Sequence, residues 1–259
     1  MQRGDPSGEN SVGKGRPRRI DPEAALRLTL AIADREGLKA VTMRRLAAGL
    51  GVTPMSLYRH FADKDALLLG IGEQIGLEIE ARRREHPLGN TADVWDCLRD
   101  RLRPPVEVLI GHHQDITQLL QALNSVPEPR TFSSEVIGTH EETLRLLGNL
   151  GITGLEAAQW VYLLRESVFM LANACRPDRG LPAGVGGENR RVVDHWKGVA
   201  AAAQEGRPLT ALASQTVGQL AAEPSLLDRG IEMLIVAIRG RAAEIQRLQR
   251  LRPSLKALF

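Results

Sequence analysis

Residues 42–64, TMRRLAAGLGVTPMSLYRHFADK, constrain the fold more than any other stretch of this 259-residue chain. Thr42 suits the cap of a helix over 43–50 whose apolar face is Leu46, Ala47 and Leu50, with Gly51 as its left-handed stop. Val52 packs into the turn. Thr53 then caps a second helix that opens on Pro54, where a missing N–H costs nothing. Leu57 and Phe61, one turn apart, point inward, which leaves Met55, Ser56, Tyr58, Arg59 and His60 on the outer faces. Two short helices in this order make a helix-turn-helix, in which the start of the second helix enters the major groove of DNA. A consecutive Tyr–Arg–His series facing outward is hard to explain as packing.

The flanking residues complete a small unit. Asp21 caps a first helix, Pro22 opens it and Glu23 complements its dipole. Ala25, Leu28 and Ile32 recur on one face, with Leu26, Leu30 and Ala33 beside them, and Gly37 ends the helix. Residues 21–65 thus form a three-helix DNA-binding domain. Residues 1–20 read as a disordered basic arm in which Lys14, Arg16, Arg18 and Arg19 form either a solvated tail or an arm along phosphates. Residues 1–65 hold 12 Lys/Arg against 8 Asp/Glu, whereas the rest hold 22 against 23. The positive excess sits where phosphate binding requires it.

A fourth helix, starting at Asp63 or Asp65 and spanning 65–82, carries Leu67, Leu68, Ile71, Ile75 and Ile79 and serves as connector. Its tail, Arg82-Arg83-Arg84-Glu85, reads as a solvated end. Residues 66–259 form a larger helical domain. Its helices are expected at 91–111, 114–123, 131–149, 153–175, 188–205, 208–221 and 225–250, with Pro104-Pro105 kinking or dividing the first. The stretch 176–190 is a lid or a linker. Aromatics are only 3% of residues, and Ala, Leu, Arg and Glu are used heavily, so the chain is expected to be all-α.

Two helices look apolar on two sides. In 153–175, Val161, Leu164, Val168, Leu171 and Cys175 form one stripe, while Leu155, Tyr162 and Phe169 form another at spacings of seven. In 225–250, Leu227, Ile231, Leu234 and Ile238 form a stripe beside the small residues Gly230, Ala237 and Gly240. Either both faces sit in one core, or Val161, Leu164, Val168, Leu171, Leu227, Ile231, Leu234 and Ile238 build a dimer interface.

Enzyme readings fail on inspection. His140-Glu141 opens like a zinc-protease motif, but position 144 is Leu. The adjacent His112-His113 pair diverges on a helix. No nucleotide loop or nucleophile elbow appears. Cys97 and Cys175 have no ligand spacing, so neither a catalytic nor a metal site is expected. With no signal-like or membrane-spanning apolar run, the chain is expected to be soluble and cytoplasmic, without membrane partners.

The segment 21–64 resembles the DNA-binding domain of TetR-family transcriptional regulators. The resemblance rests on Thr42, Arg44, Leu46 and Ala47, on Leu50-Gly51-Val52, and on Leu57-Tyr58-Arg59-His60-Phe61 with Lys64. It implies that Arg44 reaches a guanine edge or a phosphate. Thr53, Pro54, Met55 and Ser56 would meet bases, while Tyr58, His60 and Lys64 would hold phosphates. Arg59 would do either, and Thr42 would cap its helix and donate to a phosphate. The resemblance further implies that residues 66–259 are a helical ligand-binding and dimerisation domain, with a homodimer on a palindromic operator of double-stranded DNA, and a repressor released by a small-molecule effector that shifts helix 65–82. No cofactor is expected. Polar or aromatic residues within apolar stretches, Trp95, His113, Trp160 and Asn173, with His112 and Trp196 behind them, are the pocket candidates. The competing readings are an activator, or an architectural DNA-binding protein without ligand release.

Overall fold

The computed structural model describes residues 20–85, 93–125, 134–176, 198–199 and 225–256. The basic arm up to residue 19, the segment 177–190, Trp196 and most of the helices expected at 188–205 and 208–221 lie outside the described residues. Those described form α1 (Pro22–Glu36), a 3-10 turn (Leu38–Ala40), α2 (Met43–Leu50), α3 (Pro54–Tyr58), α4 (Lys64–Glu85), α5 (Val94–Gly111), α6 (Gln114–Ser125), α7 (Ser134–Asn149), α8 (Gly154–Cys175) and α9 (Leu226–Lys256). No strand occurs among them.

The helix ends follow local chemistry. Asp21 accepts from the Glu23 amide at 3.0 Å, Thr42 from the Arg45 amide at 3.2 Å, and Asp63 from the Ala66 amide at 2.8 Å. Each satisfies an N–H that the first turn leaves without a partner. Gly51 closes α2 at φ 67°, ψ 33°, a conformation that a Cβ would penalise. Asp93 and Asp96 form a reciprocal capping box on α5.

The doublet Pro104-Pro105 does not divide α5. Two prolines cannot supply the amides that would bond the carbonyls of Asp100 and Arg101 one turn earlier. Arg83 replaces them: its Nε donates to Asp100 O and its Nη2 to Arg101 O, each at 3.4 Å. The same guanidinium is ion-paired with Glu80. Arg83 is therefore buried at 8% exposure, whereas Arg82 and Arg84 are exposed, so the basic tail of α4 is not a uniformly solvated end. Burial is the largest influence on its guanidinium and, with Arg101 nearby, pulls its pKa down.

One buried core runs from α1 through α4 to α9. Ala25, Ile32, Leu46, Leu57 and Phe61 hold the first three helices together. Leu67, Ile71 and Ile75 of α4 continue into Leu98, Leu102 and Leu109 of α5. Each fully buried Leu or Ile contributes roughly 1.5–3 kcal/mol over leaving it in water. α5 is central and touches α4, α6, α7, α8 and α9. Its C-terminal carbonyls are closed by Arg176, which donates to Leu109 O at 2.9 Å, to His112 O and to Thr117 Oγ1 at 2.6 Å.

The stripes on α8 and α9 need correction. Leu164, Val168, Leu171, Leu227, Ile231 and Ile238 are buried within the single chain, and Val161 and Leu234 are half-buried. The six buried residues pack within the single chain, where α8, α9 and α5 meet, so they are not a surface awaiting a second copy. Gly230 lies against Leu171, where a Cβ would overlap Leu171 Cδ2. Periodicity shows that a helix is apolar on two sides but does not reveal which side faces its own core. The face left open is Leu155, Tyr162, Leu163 and Met170 on α8, with Met233 and Val236 on α9.

Candidate nucleic-acid interface and effector cavity

α3 has only five residues, too few to persist alone, and it is held by Leu57 at 0% exposure and by its cap. Thr53 Oγ1 accepts from the Ser56 amide at 3.2 Å and lies 2.9 Å from Ser56 Oγ, which ties the two hydroxyls together at the start of the helix. Met55 is 69% exposed and Tyr58 47%. Thr42, Arg44, Thr53, Pro54, Arg59 and His60 are also exposed, and Ser56 is half-buried. Of the expected contact residues, all but Ser56 and Lys64 are therefore exposed. Lys64 is half-buried and its Nζ donates to Leu38 O at 3.0 Å, so it anchors the 3-10 turn.

The two arginines of α2 are differentiated. Arg45 grips Glu36 through both oxygens, at 2.8 and 2.5 Å, and this hydrogen bond is the main reason the Glu36 carboxyl is held below its ordinary pKa. Arg44 makes no ion pair among the described residues. It is the guanidinium left available to a phosphate or a base.

The corner between α5 and α6 holds this unit to the rest of the chain. His112 is buried, with Nδ1 2.9 Å from Asp34 on α1 and Nε2 3.0 Å from Glu78 on α4. The next amide, His113 N, donates to Asp34 Oδ1 at 2.8 Å. Asp115 at the start of α6 accepts from Leu38 N at 2.9 Å. Gly37 is required beside it, because its φ is 81° and a Cβ would sit 2.7 Å from Asp115 Oδ2.

Beyond this corner a cavity of ≈ 210 Å3 opens between α4, α5, α6, α7 and α8. α4 contributes Gly72, Ile75, Gly76 and Ile79, and α8 contributes Val161, Leu164, Val168 and Phe169. Space exists beside α4 because two glycines a turn apart carry no side chain, and a Cβ on Gly76 would meet nothing within 4 Å. The polar part of the wall includes Arg83, Arg101, Arg165, Glu80 and His140. Such an apolar chamber with a few convergent polar groups is the usual form of a small-molecule site.

None of Trp95, His113, Trp160 and Asn173 belongs to this wall. Trp95 stacks under the Arg239 guanidinium at 4.8 Å, and Trp160 is half-buried against the core. His113 Nδ1 accepts from the Asp115 amide at 3.1 Å, and Asn173 lies one turn beyond Phe169. Conversely, Val161, Leu164 and Val168, expected between two copies, line the cavity. The one signal of the cavity available in the sequence was the Gly72–Gly76 pair, one turn apart within the apolar face of α4.

The described residues thus place a helix-turn-helix on a helical body with an internal chamber. Residues 25–71 match the model of "Bacterial regulatory proteins, tetR family". That match spans most of α1 through to the first turns of α4, so it is the helix-turn-helix part of the chain that is similar to this family. The chain is 31% identical over 134 residues to the HTH-type transcriptional repressor DrrR1 of Streptomyces coeruleorubidus, an alignment covering 51% of this chain and 45% of that protein. The chain therefore spans about half the length of this curated relative. The fold is similar to apo ActR from Streptomyces coelicolor, with TM-score 0.62, 22% identity, and 88% and 99% of the two chains covered. ActR in complex with actinorhodin aligns with TM-score 0.60 and 24% identity over 86% of this chain and 98% of that one. Among the described residues, no helix is long and apolar enough to cross a membrane.

Proposed function

We propose that this protein is a homodimeric repressor that binds a palindromic operator and is released by a small molecule. The observation that carries this reading is that α4 is shared. Ile75 and Ile79 of α4 wall the cavity, while Leu67 and Ile71 of the same helix lie in the core that continues into α1 and α2. Glu78 also binds the His112 corner, which in turn holds Asp34 of α1. An occupant that displaces α4 must move the helix-turn-helix with it. Two recognition helices have to sit about 34–36 Å apart, or a multiple of that, to enter successive major grooves, so a small tilt is enough to break the fit. A coupling of about 1–3 kcal/mol would weaken DNA binding roughly 5–150-fold. The open apolar face of α8 and α9 is the surface proposed to join the two copies.

The test is selection of bound fragments from random DNA by the purified full chain. An enriched inverted repeat is expected, with half-sites about one helical turn apart. Arg44→Ala and Tyr58→Ala should each weaken binding to that repeat by about 1–3 kcal/mol without changing the melting temperature. Salt-sensitive binding with no enriched motif would defeat the operator reading.

A further inference from the structure

The cavity wall has an unbalanced charge. Three arginines, Arg83, Arg101 and Arg165, face it against one carboxylate, Glu80. Two of the neutralising partners stand behind the wall rather than in it: Arg101 is ion-paired with Glu142 and Arg165 with Glu166 at 3.0 Å, and neither glutamate lines the cavity. Arg83 is largely committed, through Glu80 and the two carbonyls of α5. Arg165 is not. Its Nε–H is buried and has no acceptor among the described residues, while its guanidinium is held over the Tyr162 ring at 4.8 Å. A buried donor without an acceptor is costly; an acceptor on an occupant relieves it, and an anionic oxygen does so most strongly beside a guanidinium. Around the arginines the wall is apolar: Ile75, Ile79, Leu102, Leu109, Val168 and Phe169.

We infer that the effector is an amphipathic organic anion whose apolar body fills the space beside Gly72 and Gly76 and whose anionic group binds Arg165 and Arg101. This rests on the reading of the cavity as the effector site. A charge-assisted contact with a planar guanidinium favours an oxyanion over a neutral molecule of the same shape. A cation of that shape is disfavoured by the excess of positive charge.

Two fluorescent probes with the same aromatic body separate the possibilities: 8-anilinonaphthalene-1-sulfonate, an anion, and N-phenyl-1-naphthylamine, which is neutral. Titrated into the full-length protein, the anion should bind roughly tenfold or more tighter, the range of a single charge-assisted contact. Arg165→Met should abolish that preference while leaving the neutral probe unaffected, and Arg165→Lys should restore part of it. Gly76→Phe, which fills the open space, should block both probes. If Gly76→Phe blocks both but Arg165→Met and Arg101→Met leave the preference intact, the anion inference is overturned and the cavity reading stands. If Gly76→Phe blocks neither, or if neither probe binds the unmodified protein, the cavity reading itself falls and the inference with it. Circular dichroism melts of each variant ensure that a lost signal is not lost folding.

Discussion

At the scale of the residue, His112 carries the clearest consequence. Burial on its own would lower its pKa and is the largest single influence. The hydrogen bonds and charges of Asp34 and Glu78 outweigh it, and the imidazole is held above its ordinary value. A cation between two carboxylates donates from both nitrogens, whereas a neutral ring turns one lone pair toward a carboxylate. Because the folded pKa is raised, the stabilisation is complete below the ordinary histidine value of about 6.5 and is lost as pH rises through the folded value. His112→Gln should therefore lower the melting temperature more at pH 6 than at pH 9. An equal loss at both pH values would show that the bridge does not depend on protonation.

At the scale of the element, α5 shows why a local rule gave a partial answer. Pro104-Pro105 was expected to kink or divide the helix, and the carbonyls of Asp100 and Arg101 do lack helical partners. Yet the helix continues because Arg83, from α4, fills the gap. Arg83→Met should remove those bonds and leave Glu80 without its partner. A destabilisation of about 2–4 kcal/mol is expected, since each buried polar group left unsatisfied costs about 1–3 kcal/mol. Urea denaturation should show a lowered midpoint with an unchanged slope. The caps, by contrast, were legible in the sequence. Asp21, Thr42, Thr53, Gly37 and Gly51 act within two to four residues of themselves, so the sequence carries their geometry. Lys64 shows the limit of that locality: its exposure depends on the Leu38 carbonyl, 26 positions away.

At the scale of the whole molecule, burial separates two kinds of apolar position on the same helices. Ile238 is fully buried, whereas Val236 and Met233, on the outer face of α9, are 60% and 69% exposed. Ile238→Asp should unfold the protein, since it places an unpaired charge in the core. Val236→Asp with Met233→Asp should give a folded monomer in sedimentation with a helical spectrum intact. A dimer that survives the pair would remove α9 from the interface. The electrostatic ties between α9 and its neighbours, Arg99 to Glu232 at 2.6 Å and Arg241 to Glu156 at 2.5 Å, are made by side chains other than those substituted, so the fold of the single chain should tolerate them.

The sequence by itself determined the all-α class, the helix-turn-helix and its exposed end, and the limits of most helices. These depend on caps, prolines and a 3.6-residue period that act over a single turn. Only the tertiary structure decided which stripe of α8 and α9 is core, that Arg83 is buried, and that Gly72 and Gly76 open a chamber ringed by arginines rather than by the tryptophans. Those properties arise where residues far apart in the chain meet. A side chain's environment there is set by its partners, and no pattern along one helix records which partners it will find.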